Sequence, residues 1–174
     1  MTHPLDMLTG DEIVRAVEVL RADGRVPDGA MFPSIVLHEP DKAELATWKP
    51  GDPVERRVRA VIVPGPECVV NEAVVSVTAG RVVSFEEHEG MRPALLMTEA
   101  LNAIFTTKDH PEYVAALARR GITDLDNVQI DPWPAGVFGY DSEDGRRIAR
   151  CISFVRTSAE DNGYARPVEG LLVD

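Results

Sequence analysis

The chain has 174 residues, 44% of them apolar and 27% charged, a globular composition with room for one ordinary domain or two small ones. Eighteen Lys and Arg against 29 Asp and Glu leave a formal net charge of −11 and a pI near 4.8. Both halves share the deficit, which excludes nucleic acid and anionic membranes as partners because each needs a basic face. No apolar run approaches the roughly 18 residues that span a bilayer. The start, Met1-Thr2-His3-Pro4-Leu5-Asp6, has neither the basic nor the apolar region of a signal peptide, so a cytoplasmic protein is expected. Cys68 and Cys151 are too few for a disulfide scaffold and read as separate buried thiols.

Leu8-Thr9-Gly10-Asp11-Glu12-Ile13 opens a helix. Thr9 and Glu12 have capping-box spacing, and Leu8 and Ile13 that of a hydrophobic staple. Ile13, Ala16, Val17 and Leu20 then repeat along one face, and Gly24 fits the left-handed residue after the end. The period changes next from 3.6 to 2. Ser34 to Glu39 reads as a strand bracketed by Pro33 and Pro40, and Asp41 to Pro53 as a loop holding about one helical turn. Arg57 to Val63 alternates Val58, Ala60 and Ile62 against Arg57 and Arg59, a half-buried strand. Pro64-Gly65-Pro66 turns the chain. Val69 to Thr78 and Arg81 to Glu87 form a hairpin at Ala79-Gly80.

The second half repeats that order. Pro93 to Thr107 is predicted helical with Met97, Ala100, Leu101 and Ile104 on one face. Pro111 suits the first position of a helix over Glu112 to Arg120, closed by Gly121. Asp131-Pro132-Trp133-Pro134-Ala135-Gly136 reads as a rigid connector. Val137 to Tyr140 and Arg147 to Arg156 read as strands around an acidic turn, Asp141 to Gly145, and Tyr164 to Val173 as a last extended segment. Helix followed by antiparallel strands, twice, makes an α+β duplication that breaks near Glu89 to Pro93.

Chemistry is sparse. His3, His38, His88 and His110 lie far apart without metal-ligand spacing. The run Glu86-Glu87-His88-Glu89 reads as a solvated strand end. No phosphate loop or nucleophile elbow occurs, and nothing basic stands near Cys68 to make a thiolate. No catalytic residue and no metal ligand is assigned to this chain.

Five stretches carry a resemblance. They are His3 to Thr9 with Glu12-Ile13, Ser76 to Ser84, Ala118 to Ile122, Asp131 to Phe138, and Asp161 to Leu171. In this order and spacing they resemble the N-terminal N2 and N3 domains of copper-containing (topaquinone) amine oxidases. Met7 departs from the pattern, standing where a second proline is common. The resemblance implies two cystatin-like domains in tandem, N2-like over residues 1–90 and N3-like over 91–174. It implies that copper and topaquinone belong to a C-terminal catalytic domain of a homodimeric enzyme oxidising primary amines such as tyramine. This chain would hold no cofactor of its own, and Tyr113, Tyr140 and Tyr164 all lack the family's T-x-x-N-Y-[D/E] quinone context. Its end at Leu171-Leu172-Val173-Asp174 comes where the family usually runs on through another strand pair, which leaves an uncovered edge. The chain alone would be inactive, scaffolding the enzyme and shaping the substrate entrance through Pro132, Trp133 and Tyr164. Prolines on both sides would stiffen the backbone beneath the indole, and an aromatic wall attracts an ammonium group by about 0.5–2 kcal/mol. The alternative is a stand-alone cystatin-like binding protein without enzyme activity.

Overall fold

The computed structural model describes residues 3–65 and 69–174. Cys68, and Pro66 of the expected turn, lie outside the described residues. The chain divides into two compact units, Met1–Pro93 and Ala94–Asp174.

In the first unit, helix α1 (Gly10–Ala22) precedes β1 (Met31–Leu37), the short helix α2 (Lys42–Thr47), and strands β2 (Arg57–Val63), β3 (Val69–Ser76) and β4 (Arg81–Glu89). The sheet is antiparallel in the order β1-β2-β3-β4. The start of α1 follows its local chemistry. Thr9 Oγ1 accepts from the Glu12 N–H, and Glu12 Oε2 accepts from the Thr9 N–H at 2.8 Å. Gly24, at φ 84°, takes the left-handed conformation after the end. Ala16, Val19 and Leu20 bury against Val58, Ala60 and Ile62 of β2 and Ala73 and Val75 of β3. Arg59 stays exposed on the opposite face.

Two details differ from expectation. Pro33 does not precede the first strand but lies inside β1, where the register with β2 shifts between Met31 and Ser34. An edge strand tolerates proline at such an irregularity because the missing N–H interrupts no regular ladder. The β3–β4 turn spans Val77 to Gly80 rather than Ala79-Gly80 alone.

The second unit opens with α3 (Met97–Asp109) and α4 (Pro111–Ala118), followed by β5 (Val128–Pro134), β6 (Ala149–Val155) and β7 (Pro167–Val173). These strands form an antiparallel sheet in the order β5-β6-β7. Pro111 takes the first turn of α4. Gly121 closes it, with the Ile122 N–H bonded to the Leu117 carbonyl at 3.0 Å, a Schellman ending. Tyr113 and Leu117 pack on Val128, Ile130, Cys151 and Val168. The Tyr113 hydroxyl shares a 2.8 Å hydrogen bond with Ser153 Oγ inside this core. Both units are therefore α+β, helix on antiparallel sheet.

Four expectations are corrected here. Helix α3 begins at Met97, not Pro93, and packs through Ala103, Ile104 and Thr107. Met97 and Leu101, expected on the buried face, are 74% and 42% exposed. Asp131 to Pro134 is strand, not connector: Pro132 and Pro134 fall two apart on edge strand β5, so both missing N–H groups belong to the free edge. Val137 to Tyr140 forms no strand, and the expected acidic turn holds a short 3-10 helix, Asp141–Glu143.

Candidate functional site

The outer face of the second sheet follows from its register. Trp133 stands opposite Arg150, Asp131 opposite Ile152 and Gln129 opposite Phe154. Alternation places these six side chains on the face away from the Val128, Ile130 and Cys151 core. Trp133 is 57% exposed, and its indole N–H donates to Asp131 Oδ2 at 2.9 Å. That bond fixes the ring while leaving its surface open. Beside it, Arg150 donates to Asp174 Oδ1 at 2.9 Å and to Glu143.

At the other end of this face the segment between β6 and β7 folds back. The Thr157 backbone N–H and hydroxyl donate to Asp161 Oδ2 at 3.0 and 2.8 Å, and Arg166 pairs with the same oxygen. The Thr157 N–H, then the Thr157 hydroxyl and Arg166, hold the Asp161 carboxyl far below the usual carboxylate range. Gly163 packs closely on the Gln129 side chain, and a Cβ there would lie 1.9 Å from Gln129 Oε1, so a larger residue would have to displace that amide. The turn delivers Tyr164 edge-on to Phe154, with ring centroids 5.1 Å apart, and leaves it 57% exposed.

Of the three residues singled out by resemblance, two share this face. Phe154 lies four residues along β6 from Arg150, about 13 Å at the rise of a strand, with Trp133 beside Arg150 and Tyr164 against Phe154. Pro132, opposite Cys151, belongs to the other face and serves as backbone beneath the indole. Sequence reasoning missed Asp131, Ile152 and Phe154 as parts of the site. The period-2 order of Arg150, Ile152 and Phe154 along β6 carried the signal.

Burial pushes the Cys151 thiol and the Tyr113 phenol upward, away from the ionised forms a nucleophile or base requires. Among the described residues, no three His, Cys, Asp or Glu side chains gather into a metal site. No helix among them is long and apolar enough to cross a membrane.

Comparison with known proteins gives two family matches in chain order. Residues 9–85 match the AGAO-like N2 domain, and residues 98–174 match the copper amine oxidase N3 domain. A primary amine oxidase of Arthrobacter sp. (strain P1) is 39% identical over 174 residues, covering 99% of this chain and 26% of the relative. A histamine oxidase of Arthrobacter globiformis is 32% identical, covering 98% of this chain and 25% of the relative. The chain thus spans about a quarter of the length of the curated relatives it matches. The crystal structure of a copper-containing benzylamine oxidase from Hansenula polymorpha superimposes with a TM-score of 0.74 over 95% of this chain and 27% of that one. At 20% identity, that likeness establishes the fold.

Proposed function

The chain belongs to the copper amine oxidase family, of which it carries the N2-like and N3 domains, and from that premise we propose that it is the non-catalytic N-terminal region of a primary amine oxidase. Coverage carries the reading: two domain matches in family order, within an alignment that takes in 99% of the chain. Residues 1–90 act as the N2-like domain and 91–174 as the N3-like domain. The full-length enzyme, a cytoplasmic homodimer, converts a primary amine, O2 and water to aldehyde, ammonia and hydrogen peroxide, with tyramine among its substrates. The described residues offer no donor set for copper. By the family resemblance, copper and topaquinone are assigned to the catalytic domain, and no step of that chemistry is routed through this chain. Supplied with Cu(II) and oxygen, the chain alone is expected to develop no quinone absorbance and to release no peroxide from tyramine. Turnover by the purified chain would overturn that part of the reading.

This chain's own contribution is scaffolding and a wall of the substrate entrance. Trp133 and Tyr164 present open aromatic surface on one sheet face, and Asp131 and Phe154 hold them in place. Pro132 stiffens the strand below. The test is to fuse the chain to the catalytic part of the Arthrobacter sp. relative in place of the matching segment, then to change Trp133→Ala and Tyr164→Ala separately. Each change is expected to alter the kcat/KM ratio of benzylamine to methylamine by about threefold or more, the size of one cation–π contact. An unchanged ratio in a folded, active fusion removes the entrance role.

A further inference from the structure

The first unit holds a cavity of about 420 Å³ between α2, the loop that follows it and the start of β2. That volume lies within the range of small-molecule sites. Leu45 and the Trp48 ring supply apolar wall, and the His3 ring meets Trp48 edge-on at 4.8 Å. Two of the lining residues bring buried N–H donors, Trp48 Nε1 and Arg57 Nε, and neither has an acceptor. Buried donors are nearly always satisfied in folded proteins, so two orphans around one cavity point to an acceptor that arrives from outside.

Charge narrows what carries it. Glu44, Asp52 and Glu55 line the cavity against Arg57 alone among Lys and Arg, and Glu55 already pairs with Arg57. Glu44 Oε2 accepts from the Asp41 N–H at 3.3 Å, and Asp52 Oδ2 from the Lys49 N–H at 2.8 Å. Each carboxylate keeps further acceptor sites. A net negative lining repels a free anion and recruits a cation.

We propose that this cavity binds a small organic ammonium ion carrying a neutral carbonyl, with the carbonyl on the Trp48 and Arg57 N–H groups and the ammonium beside Glu44 and Asp52. An α-amino amide has this chemistry, and an aromatic body would use the Trp48 face. The site lies wholly within the first unit and does not depend on the proposed entrance role of the second.

The test uses the 174-residue chain, with phenylalaninamide as the probe. The chain has two tryptophans, so a 15N-labelled sample gives two indole N–H signals, and Trp48→Phe identifies one of them. Phenylalaninamide is expected to shift the Trp48 signal saturably with a millimolar Kd and to leave Trp133 unmoved. Phenethylamine, which lacks the carbonyl, and 3-phenylpropanamide, which lacks the ammonium, should each bind at least about fivefold more weakly. Glu44→Gln should weaken the probe by a similar factor, the scale of one exposed charge pair, while glutamine keeps the capping acceptor of α2. No Trp48 shift at about 50 mM probe, weaker than any specific millimolar site, would overturn the proposal. Equal binding of 3-phenylpropanamide, or an unchanged Kd in folded Glu44→Gln, would do the same.

Discussion

Replacing Arg56 with alanine is expected to destabilise the first unit by about 3–5 kcal/mol, the cost of stripping one partner from a buried ion pair. Arg56 is 7% exposed and sits just before β2. Its Nε donates to Glu12 Oε1 at 2.7 Å, and its Nη atoms reach the carbonyls of Pro4, Asp6 and Met7 at 3.1, 2.8 and 3.2 Å. One guanidinium thus ties the N-terminal segment and the first turn of α1 to the sheet. Truncation leaves a half-buried carboxylate and three carbonyls without their donor. Lysine in its place should recover only part of the loss, because a single ammonium cannot span that fan of acceptors. Urea unfolding is the measurement. A loss within about 0.5 kcal/mol, the range of an ordinary surface change, would show that Arg56 is not the tie.

The same pair sets an acid limb. Hydrogen bonds from Arg56, reinforced by the Thr9 N–H, hold the Glu12 carboxyl down at about 2, against an ordinary value of 4.5. Between these values the unfolded chain binds a proton that the folded chain does not. The stabilisation is therefore complete above about pH 4.5 and disappears as pH falls through about 2, an effect on the order of 3 kcal/mol. Glu12→Gln should flatten that limb.

What was legible in the sequence was local. Thr9 and Glu12 are three residues apart and cap α1 through their own backbone, so their spacing announced the helix. Val58, Ala60 and Ile62 announced β2 because burial on one face leaves a period of two. Where two local signals competed, the reading failed. The apolar stripe of Met97, Ala100, Leu101 and Ile104 looked like the core face of α3, yet Met97 and Leu101 are exposed, while Ile104 packs on the core together with Ala103 and the buried Thr107. Prolines at 132 and 134 suggested a connector because their tolerance in an edge strand depends on which neighbour the strand lacks. Such facts belong to the sheet. Arg56 with Glu12 and Tyr164 with Phe154 are joined across turns of the chain, and no spacing rule marks such pairs.

The second unit repeats the Arg56 device. Glu99 is the third residue of α3 and accepts from the Leu96 N–H at 2.8 Å, as Glu12 does at the start of α1. Arg147, just before β6, donates to its two oxygens at 2.5 and 2.6 Å and to the Ala94 carbonyl at 3.0 Å. Side-chain exposures match too: 11% and 21% for this pair, 8% and 19% for the first. Those bonds, Arg147 foremost, hold the Glu99 carboxyl below its ordinary value. A helix-capping glutamate clamped by an arginine at the root of a sheet strand is thus the element the two units share. Arg147→Ala is expected to cost about 2–4 kcal/mol, somewhat under a fully buried pair. A double-mutant cycle with Glu99→Gln should return a coupling above about 1 kcal/mol. Arg15 and Glu18 on α1, 55% and 61% exposed, supply the comparison, with a coupling expected below about 0.5 kcal/mol. If Arg147 and Glu99 couple no more strongly than that exposed pair, the clamp is geometry without energy, and the second unit is held by its Tyr113 and Leu117 core alone.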